Sequence, residues 1–462
     1  MWRRSCRALT DSHGQAGDHA GGNGGPAPGV RSPTGPWSVD EHLADVLSAV
    51  RPLEPIELPL LDAQGCLLTE DVTVPAALPP FDNSSMDGYA VRVADVDGAS
   101  EAFPAVLSVV GEVAAGSGTL PRVGPGQAAR IMTGAPLPPG AEAVVPVEWT
   151  DGGTGGGPAV DMTGPAGAEV RVHRAPARGQ FVRARGSDAA LGTVALTAGT
   201  PLGPPQLGLL AALGRASVPV RPRPRVVVLS TGSELVPPGA PLGPGQIHDS
   251  NSFMLAAAAR DAGAVAHRVA AVADDPGTLR ATLEDQLASA DLLVTSGGVS
   301  VGAYDVVKEA LTDLDPAFGS VTFRRLAMQP GKPQGFGLVG SARSPLFALP
   351  GNPVSAYVSF ELFVRPALRA LAGHPGGTLT RPRARARLLA DAPLPSPGGR
   401  RQYLRGRYEP PASGTGPGTV RPVGAADSHL VAALARADAL IEIPEDTTQA
   451  APGGEFAVVL LG

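Results

Sequence analysis

The sequence predicts a multidomain α/β and β protein: a β-rich composite N-terminal region, a doubly wound α/β domain and a small all-β C-terminal domain. Three observations carry this. Between about residues 53 and 200 the apolar residues come in short runs split by turns. From about residue 222 apolar strands alternate with helical stretches, the pattern of a parallel sheet covered on both faces. After Pro375 the short strands return. The chain has 462 residues, 43% of them hydrophobic, which supports about three domains.

The elements follow in order. The first 36 residues are rich in Gly, Pro and Ala and read as a disordered tail. "WSVDEHLADVLSAVRP" places Ser38 three residues before Glu41, a capping-box spacing, and Pro52 ends the helix. The β-rich region, 37–216, contains "AVLSVVGEV", "AARIMTG", "EAVVPVEW" and "GTVALTAGT" as strands and divides into two lobes, one inserted around 96–165. "PPQLGLLAALG" is a short helix opened by proline and closed by Gly214. In the α/β domain, 217–373, "RVVVLS", "VAHRVAAV", "DLLVTS", "VTFRRLA" and "PLFALP" are strands. Helices follow around "DSNSFMLAAAARDAG", "DDPGTLRATLEDQLASA", "VVKEALTDL" and "NPVSAYVSFELFVRPALRALAG". The C-terminal domain, 374–462, is a β-barrel-like set containing "ARARLLA", "RQYLRGRY", "GTVRPV" and "EFAVVLL".

Composition excludes some functions. A net charge of −6 argues against nucleic-acid or membrane-surface binding. No apolar run is long enough to span a bilayer, and the basic start lacks the apolar core of a signal peptide. Cys6 and Cys66 are the only cysteines, so a reducing cytoplasm is the simpler compartment.

In an open parallel sheet ligands bind beyond the carboxyl ends of the strands. Three small, hydroxyl-rich loops fall there. The first holds Thr231, Gly232, Ser233 and Glu234. The second holds Ser296, Gly297, Gly298, Ser300 and Gly302, with Asp305 just beyond. The third holds Pro350, Gly351, Asn352, Pro353 and Ser355. Backbone N–H groups in such loops attract phosphate. None has the spacing of a Walker A or dinucleotide motif. Only two lysines occur, Lys308 and Lys332, and Lys332 sits in "QPGKP" between Pro330, Gly331 and Pro333. A compact ammonium there suits an oxyanion. Carboxylates gather on the same edge: Glu234, Asp249, Asp274, Asp275 and Asp305, with Ser250 and Asn251 beside Asp249. Mg²⁺ bridging to an anionic substrate would explain them. For Asp249, Asp274 and Asp275, helix capping explains the position equally well.

"FDNSSMDGYA", "RIMTGAPLPPGAEAVV", "STGSEL", "GQIHDSN", "SGGVSVGAYD", "QPGKPQGFG" and "LPGNPVS" occur in one order. Together they resemble the molybdopterin molybdenumtransferases, the group that includes the C-terminal part of gephyrin, from about residue 37 onward. The resemblance implies molybdenum insertion into adenylylated molybdopterin, with molybdate as the metal source, Mg²⁺ assisting and AMP released. It implies Glu234 and Asp249 as the Mg²⁺ ligands. It implies a homodimer in which the N-terminal region of one subunit completes the cleft of the other. Asp82, Asp87 and Thr133 would then face that cleft, with Phe81 and Tyr89 anchoring their loop. For Asp87 a simple turn role is equally good. Lys332 would take charge from the leaving phosphate, and Asp82 and Asp188 would be proton donors if burial raised their pKa. A molybdopterin adenylyltransferase would act upstream as partner. Three departures from the family pattern stand out: Ser233, where an acidic residue or asparagine is usual, Gln329 in place of a second lysine, and Ser187 where Glu is frequent. The alternatives are the adenylyltransferase itself, which lacks the β-rich region, and a non-catalytic scaffold built on the same fold.

Overall fold

The structure is a computed structural model and describes residues 35–164, 167–299, 306–312, 314–315, 317–412 and 414–462. Expectations for the tail before residue 35, and for Ser300, Gly302 and Asp305, lie outside the described residues.

The α/β domain is built on a six-stranded sheet. In spatial order its strands are Val265–Arg268, Arg225–Ser230, Leu292–Ser296, Ser344–Leu349, Pro333–Val339 and Gly319–Arg325. The first four run parallel. The last two are antiparallel to their neighbours, so the sheet is mixed rather than wholly parallel. Only a few residues separate Val339 from Ser344, too few for a crossover, so that pair closes as a hairpin. The strand Pro333–Val339 is missing from the sequence reading, because its glycines and the lysine loop before it disguise the pattern.

Both faces of the sheet are covered. Val226 and Val228 point into one core with Leu255, Val354 and Phe363. Val227 and Leu229 point into the other with Leu279, Leu283 and Val307. This period of two, buried on both sides, is why the strand reads as an unbroken apolar run. The helix Val39–Ala49 carries the expected capping box between Ser38 and Glu41. It buries Val39 and Val46 in the first of these cores, not in the β-rich region that follows it.

The β-rich region holds three separate cores. One lies around Leu68, Val72, Leu210 and Val220. The other two, around Tyr89 and Val145 and around Ile131 and Val144, flank a five-stranded sheet that draws on Gly88–Val91, Ala105–Val113, Gln127–Ile131, Ala143–Pro146 and Glu169–Val172, and so uses residues on both sides of 96–165. The C-terminal strands Arg401–Glu409, Gly418–Pro422, Arg383–Leu388, Glu455–Leu460 and Ala439–Ile443 pair in that order, and the last pairs back onto the first. They close a small barrel around Leu388, Ile441 and Val458. Among the described residues no helix is long and apolar enough to cross a membrane.

Candidate active site

The carboxyl ends of three neighbouring parallel strands open into a cavity of about 940 Å³. The loops beyond Ser230, Ser296 and Leu349 form its floor, and the loop at His248–Asn251 forms a side. The loops are zipped together by backbone bonds. Thr231 N–H donates to Ser296 O at 2.9 Å, and Gly297 N–H to Leu349 O at 3.1 Å. Asn251 links them again: its Nδ2 donates to Ser296 Oγ at 2.8 Å and to Gly351 O at 2.5 Å. Gly297 is required at this junction. Its φ is +109°, and a Cβ there would lie 2.5 Å from Thr231 O.

Among the described residues two polar atoms at the cavity are buried without a partner, Thr231 Oγ1 and Asn251 Oδ1. Buried orphans are uncommon in native folds.

The carboxylates divide into two kinds. Asp249 is buried. Its Oδ1 accepts from Ser230 Oγ at 2.9 Å and from the Ser252 amide at 3.1 Å. Its Oδ2 accepts from Ser252 Oγ and lies 3.8 Å from Arg268. Both oxygens are thus committed to holding the start of the helix Asn251–Asp261. Glu234 is exposed on the cavity wall; its carbonyl accepts the Ile247 amide at 2.9 Å, while its carboxylate has no hydrogen bond or ion pair among the described residues. Asp274 also lines the wall. Its Oδ2 accepts the Ser233 amide at 2.9 Å, while its own N–H donates to Ser233 Oγ at 3.3 Å. This reciprocal clasp fixes the turn that carries Glu234.

Asp275 lies outside the lining. It caps the helix Pro276–Leu287 by accepting the Thr278 amide at 2.7 Å, and hydrogen bonds from Thr278 hold its carboxyl below the usual range. Among the described residues no three His, Cys, Asp or Glu side chains are grouped to hold a metal.

Of the other expected residues, Thr231, Gly232, Asp249, Ser250, Asn251, Ser296, Gly297, Gly298, Pro333, Pro350, Gly351, Asn352, Pro353 and Ser355 line the cavity. Ser233, Pro330, Gly331 and Lys332 stand outside the lining. Lys332 is half-buried next to Pro333, and its ammonium makes no ion pair among the described residues. The C-terminal domain adds His429 and Val431 to the lining. Neither stands in a strand-end loop or an anion-binding pattern, so only the folded chain reveals them. They are brought there by Ser428, whose Oγ accepts from Asn352 Nδ2 at 2.8 Å and whose carbonyl accepts from Val354 N–H at 3.0 Å.

Asp82, Thr133 and Asp188 form a second, separate group. None of them lines the cavity, and all three are exposed. Asp82 Oδ1 accepts the Arg185 amide at 2.7 Å, and Asp87 Oδ1 accepts the Thr133 amide at 2.5 Å. These bonds draw the loops of Asp82, Thr133 and Asp188 together on the β-rich region. Within one chain the burial needed to turn Asp82 and Asp188 into proton donors is absent. Tyr89 is buried and anchors its loop as expected, but Phe81 is 43% exposed. Phe81 therefore packs only in part against its own chain.

The comparisons agree along the whole described chain. Residues 37–214 match the family described as MoeA N-terminal region (domain I and II). Residues 227–370 match the probable molybdopterin binding domain, and residues 387–461 the MoeA C-terminal region (domain IV). Molybdopterin molybdenumtransferase 2 of Mycobacterium tuberculosis is 47% identical over 423 residues, covering 91% of this chain and 98% of that protein. The molybdopterin molybdenumtransferase of Bacillus subtilis is 35% identical over 428 residues, covering 92% and 94%. The crystal structure of a molybdopterin biosynthesis MoeA protein from Pyrococcus horikosii matches with a TM-score of 0.70 at 32% identity. It covers 93% of this chain and 100% of that one.

Proposed function

The chain belongs to the molybdopterin molybdenumtransferase family, and on that premise we propose that it inserts molybdenum from molybdate into adenylylated molybdopterin and releases AMP. The observation that carries this reading is the strand-end cavity. Three glycine-bearing loops meet there, and two buried polar atoms have no partner among the described residues. Thr231 and Asn251 would meet the pterin nucleotide, and the backbone amides of Gly297 and Gly298 its phosphates.

Lys332 neutralises charge on the departing phosphate in this scheme. Mg²⁺ fits the residues present, because it needs only one or two carboxylates beside substrate phosphate. Glu234 would hold it, since Asp249 has no free oxygen. Bound there, Mg²⁺ would supply electrostatic stabilisation of the phosphoanhydride oxygens.

The N-terminal group belongs to the same reaction if two chains associate. A homodimer places the loop of Asp82 and Thr133 from one subunit over the cavity of the other. Their exposure, and that of Phe81, fits a surface that a second copy covers. Buried in this way, Asp82 and Asp188 donate the protons that remove oxo groups from molybdate as water. The substrate is an adenylylated pterin, so an adenylyltransferase must act upstream. The cytoplasm is the compartment that the cysteine usage suggests.

The test is direct. Purified protein given Mg²⁺, molybdate and adenylylated molybdopterin releases AMP, and release depends on molybdate. Lys332→Ala lowers the rate about 100-fold, the size expected for one lost charge-stabilising group. Turnover that requires ATP and free molybdopterin instead would assign the adenylyltransferase activity.

A further inference from the structure

Lys332 stands on a loop that the α/β sheet does not carry alone. The chain leaves the strand Gly319–Arg325, passes through Met328 and Gln329, and returns at Lys332, whose carbonyl accepts the Leu326 amide at 2.8 Å. On one side this segment pairs with Trp37. Trp37 N–H donates to Arg325 O at 3.0 Å, and Ala327 N–H donates to Trp37 O at 2.7 Å. On its other side it pairs with the barrel. Met328 and Gln329 lie parallel to Arg401 and Gln402, and Arg401 N–H donates to Ala327 O at 2.9 Å. The base of the lysine loop is therefore the middle strand of a short ladder, with the lead-in to the first helix on one flank and the barrel on the other.

The inner end of the loop is equally fixed. The buried Gln334 donates to Gly331 O at 2.7 Å and to Ser359 Oγ at 2.6 Å. Gly331 has a φ of +99°, and a Cβ there would stand 2.8 Å from Ser359 Oγ. So much fixed backbone surrounds a lysine whose own ammonium has no partner among the described residues.

One side chain ties the two flanks of the ladder together. Arg401 donates to Asp40 with both terminal nitrogens, at 3.0 and 2.8 Å, and to Glu445 at 2.9 Å, with Glu442 at 3.6 Å. Asp40 stands in the first turn of the helix Val39–Ala49, whereas Glu442 and Glu445 come from the barrel end of the chain. A planar guanidinium is suited to such a bridge, since its fork fixes direction as well as charge. Hydrogen bonding to Arg401 also holds the Asp40 carboxyl below its ordinary range.

We propose that the Asp40–Arg401 pair is a positioning clamp for Lys332, fixing the barrel against the first helix so that the lysine is held beside Pro333 at the cavity wall. The inference rests on the role given to Lys332 above. Asp40 is a clean probe because its side chain is 70% exposed, so Asp40→Asn leaves the fold intact. In the AMP-release assay, Asp40→Asn lowers kcat about threefold, the size an exposed bidentate pair supports. KM for molybdate and the melting temperature stay unchanged, and Asp40→Glu restores kcat. In a Lys332→Ala background Asp40→Asn causes no further loss, because the clamp then has no lysine to hold. The same threefold loss in both backgrounds, or an unchanged kcat in Asp40→Asn while Lys332→Ala is slow, overturns the clamp alone. A Lys332→Ala enzyme with normal kcat overturns the clamp together with the role of Lys332.

Discussion

Around Asp82, the carboxylates that stand out in the sequence find backbone amides within their own lobe: Asp82 takes the amide of Arg185 and Asp87 that of Thr133. At the strand ends of the α/β domain the polar groups are less conspicuous, yet among the described residues Thr231 Oγ1 and Asn251 Oδ1 are buried without a partner and the Glu234 carboxylate makes no hydrogen bond. The two regions teach that density of polar residues is a poor guide to a site. At the strand ends, polar capacity left unused coincides with a cavity. Each unsatisfied buried group costs about 1–3 kcal/mol, a cost that binding a ligand offsets.

The contrast can be broken most strongly at Asp249. Its oxygens are fully used, so Asp249→Ala destabilises the protein by about 4 kcal/mol, the cost of breaking a buried charged network. Glu234→Gln leaves the denaturant midpoint in place and slows AMP release. Urea unfolding of both variants, side by side with the assay, decides whether the two carboxylates differ as described.

Acid separates the α/β body from the rest. His42 is buried against Phe363 and Phe336. Burial, together with the nearby Arg324 charge, pushes its imidazole down to about 4. The unfolded chain then binds a proton that the folded chain refuses. Stability is complete above the ordinary value of about 6.5 and falls as pH drops from there toward 4, by about 3 kcal/mol in all. His42→Phe flattens that part of the stability profile, as urea midpoints at pH 7, 5.5 and 4.5 will report.

A smaller effect sharpens the reading of the N-terminal loop. Asp82→Asn keeps an acceptor for the Arg185 amide but removes an acid. Turnover falls about 100-fold, while nucleotide affinity measured by calorimetry is unchanged. Equal losses in both would make the loop purely structural. The smallest effect is expected at Asp275, where Asp275→Asn changes AMP release by less than about twofold because the side chain only caps a helix.

Much of this arrangement is legible in sequence. The run "RVVVLS" and the loops after it announce a strand edge, because a doubly buried strand needs unbroken apolar residues and its exit needs small ones. The capping box at Ser38 and Glu41 is a local signal and is equally readable. Other features depend on distant partners. Nothing near His429 says that Ser428 will dock on Asn352. Nor does "DD" at residues 274–275 say which carboxylate faces the cavity, since one rotation of the chain exchanges wall and cap. The strand Pro333–Val339 escapes notice because glycine at 335 and 337 suits a close approach of strands more than any local preference. A Cβ at Gly337 would stand 1.9 Å from Ser320 O.

The placement of the helix Val39–Ala49 also has a consequence for how the protein is made. Its apolar face is synthesised early, yet its partners Val354, Phe363 and Leu368 follow roughly 300 residues later. At the ribosome's pace of about 5–20 residues per second, Val39 and Val46 wait on the order of tens of seconds for a core. The nascent chain therefore carries this apolar face unpartnered while the intervening residues are translated.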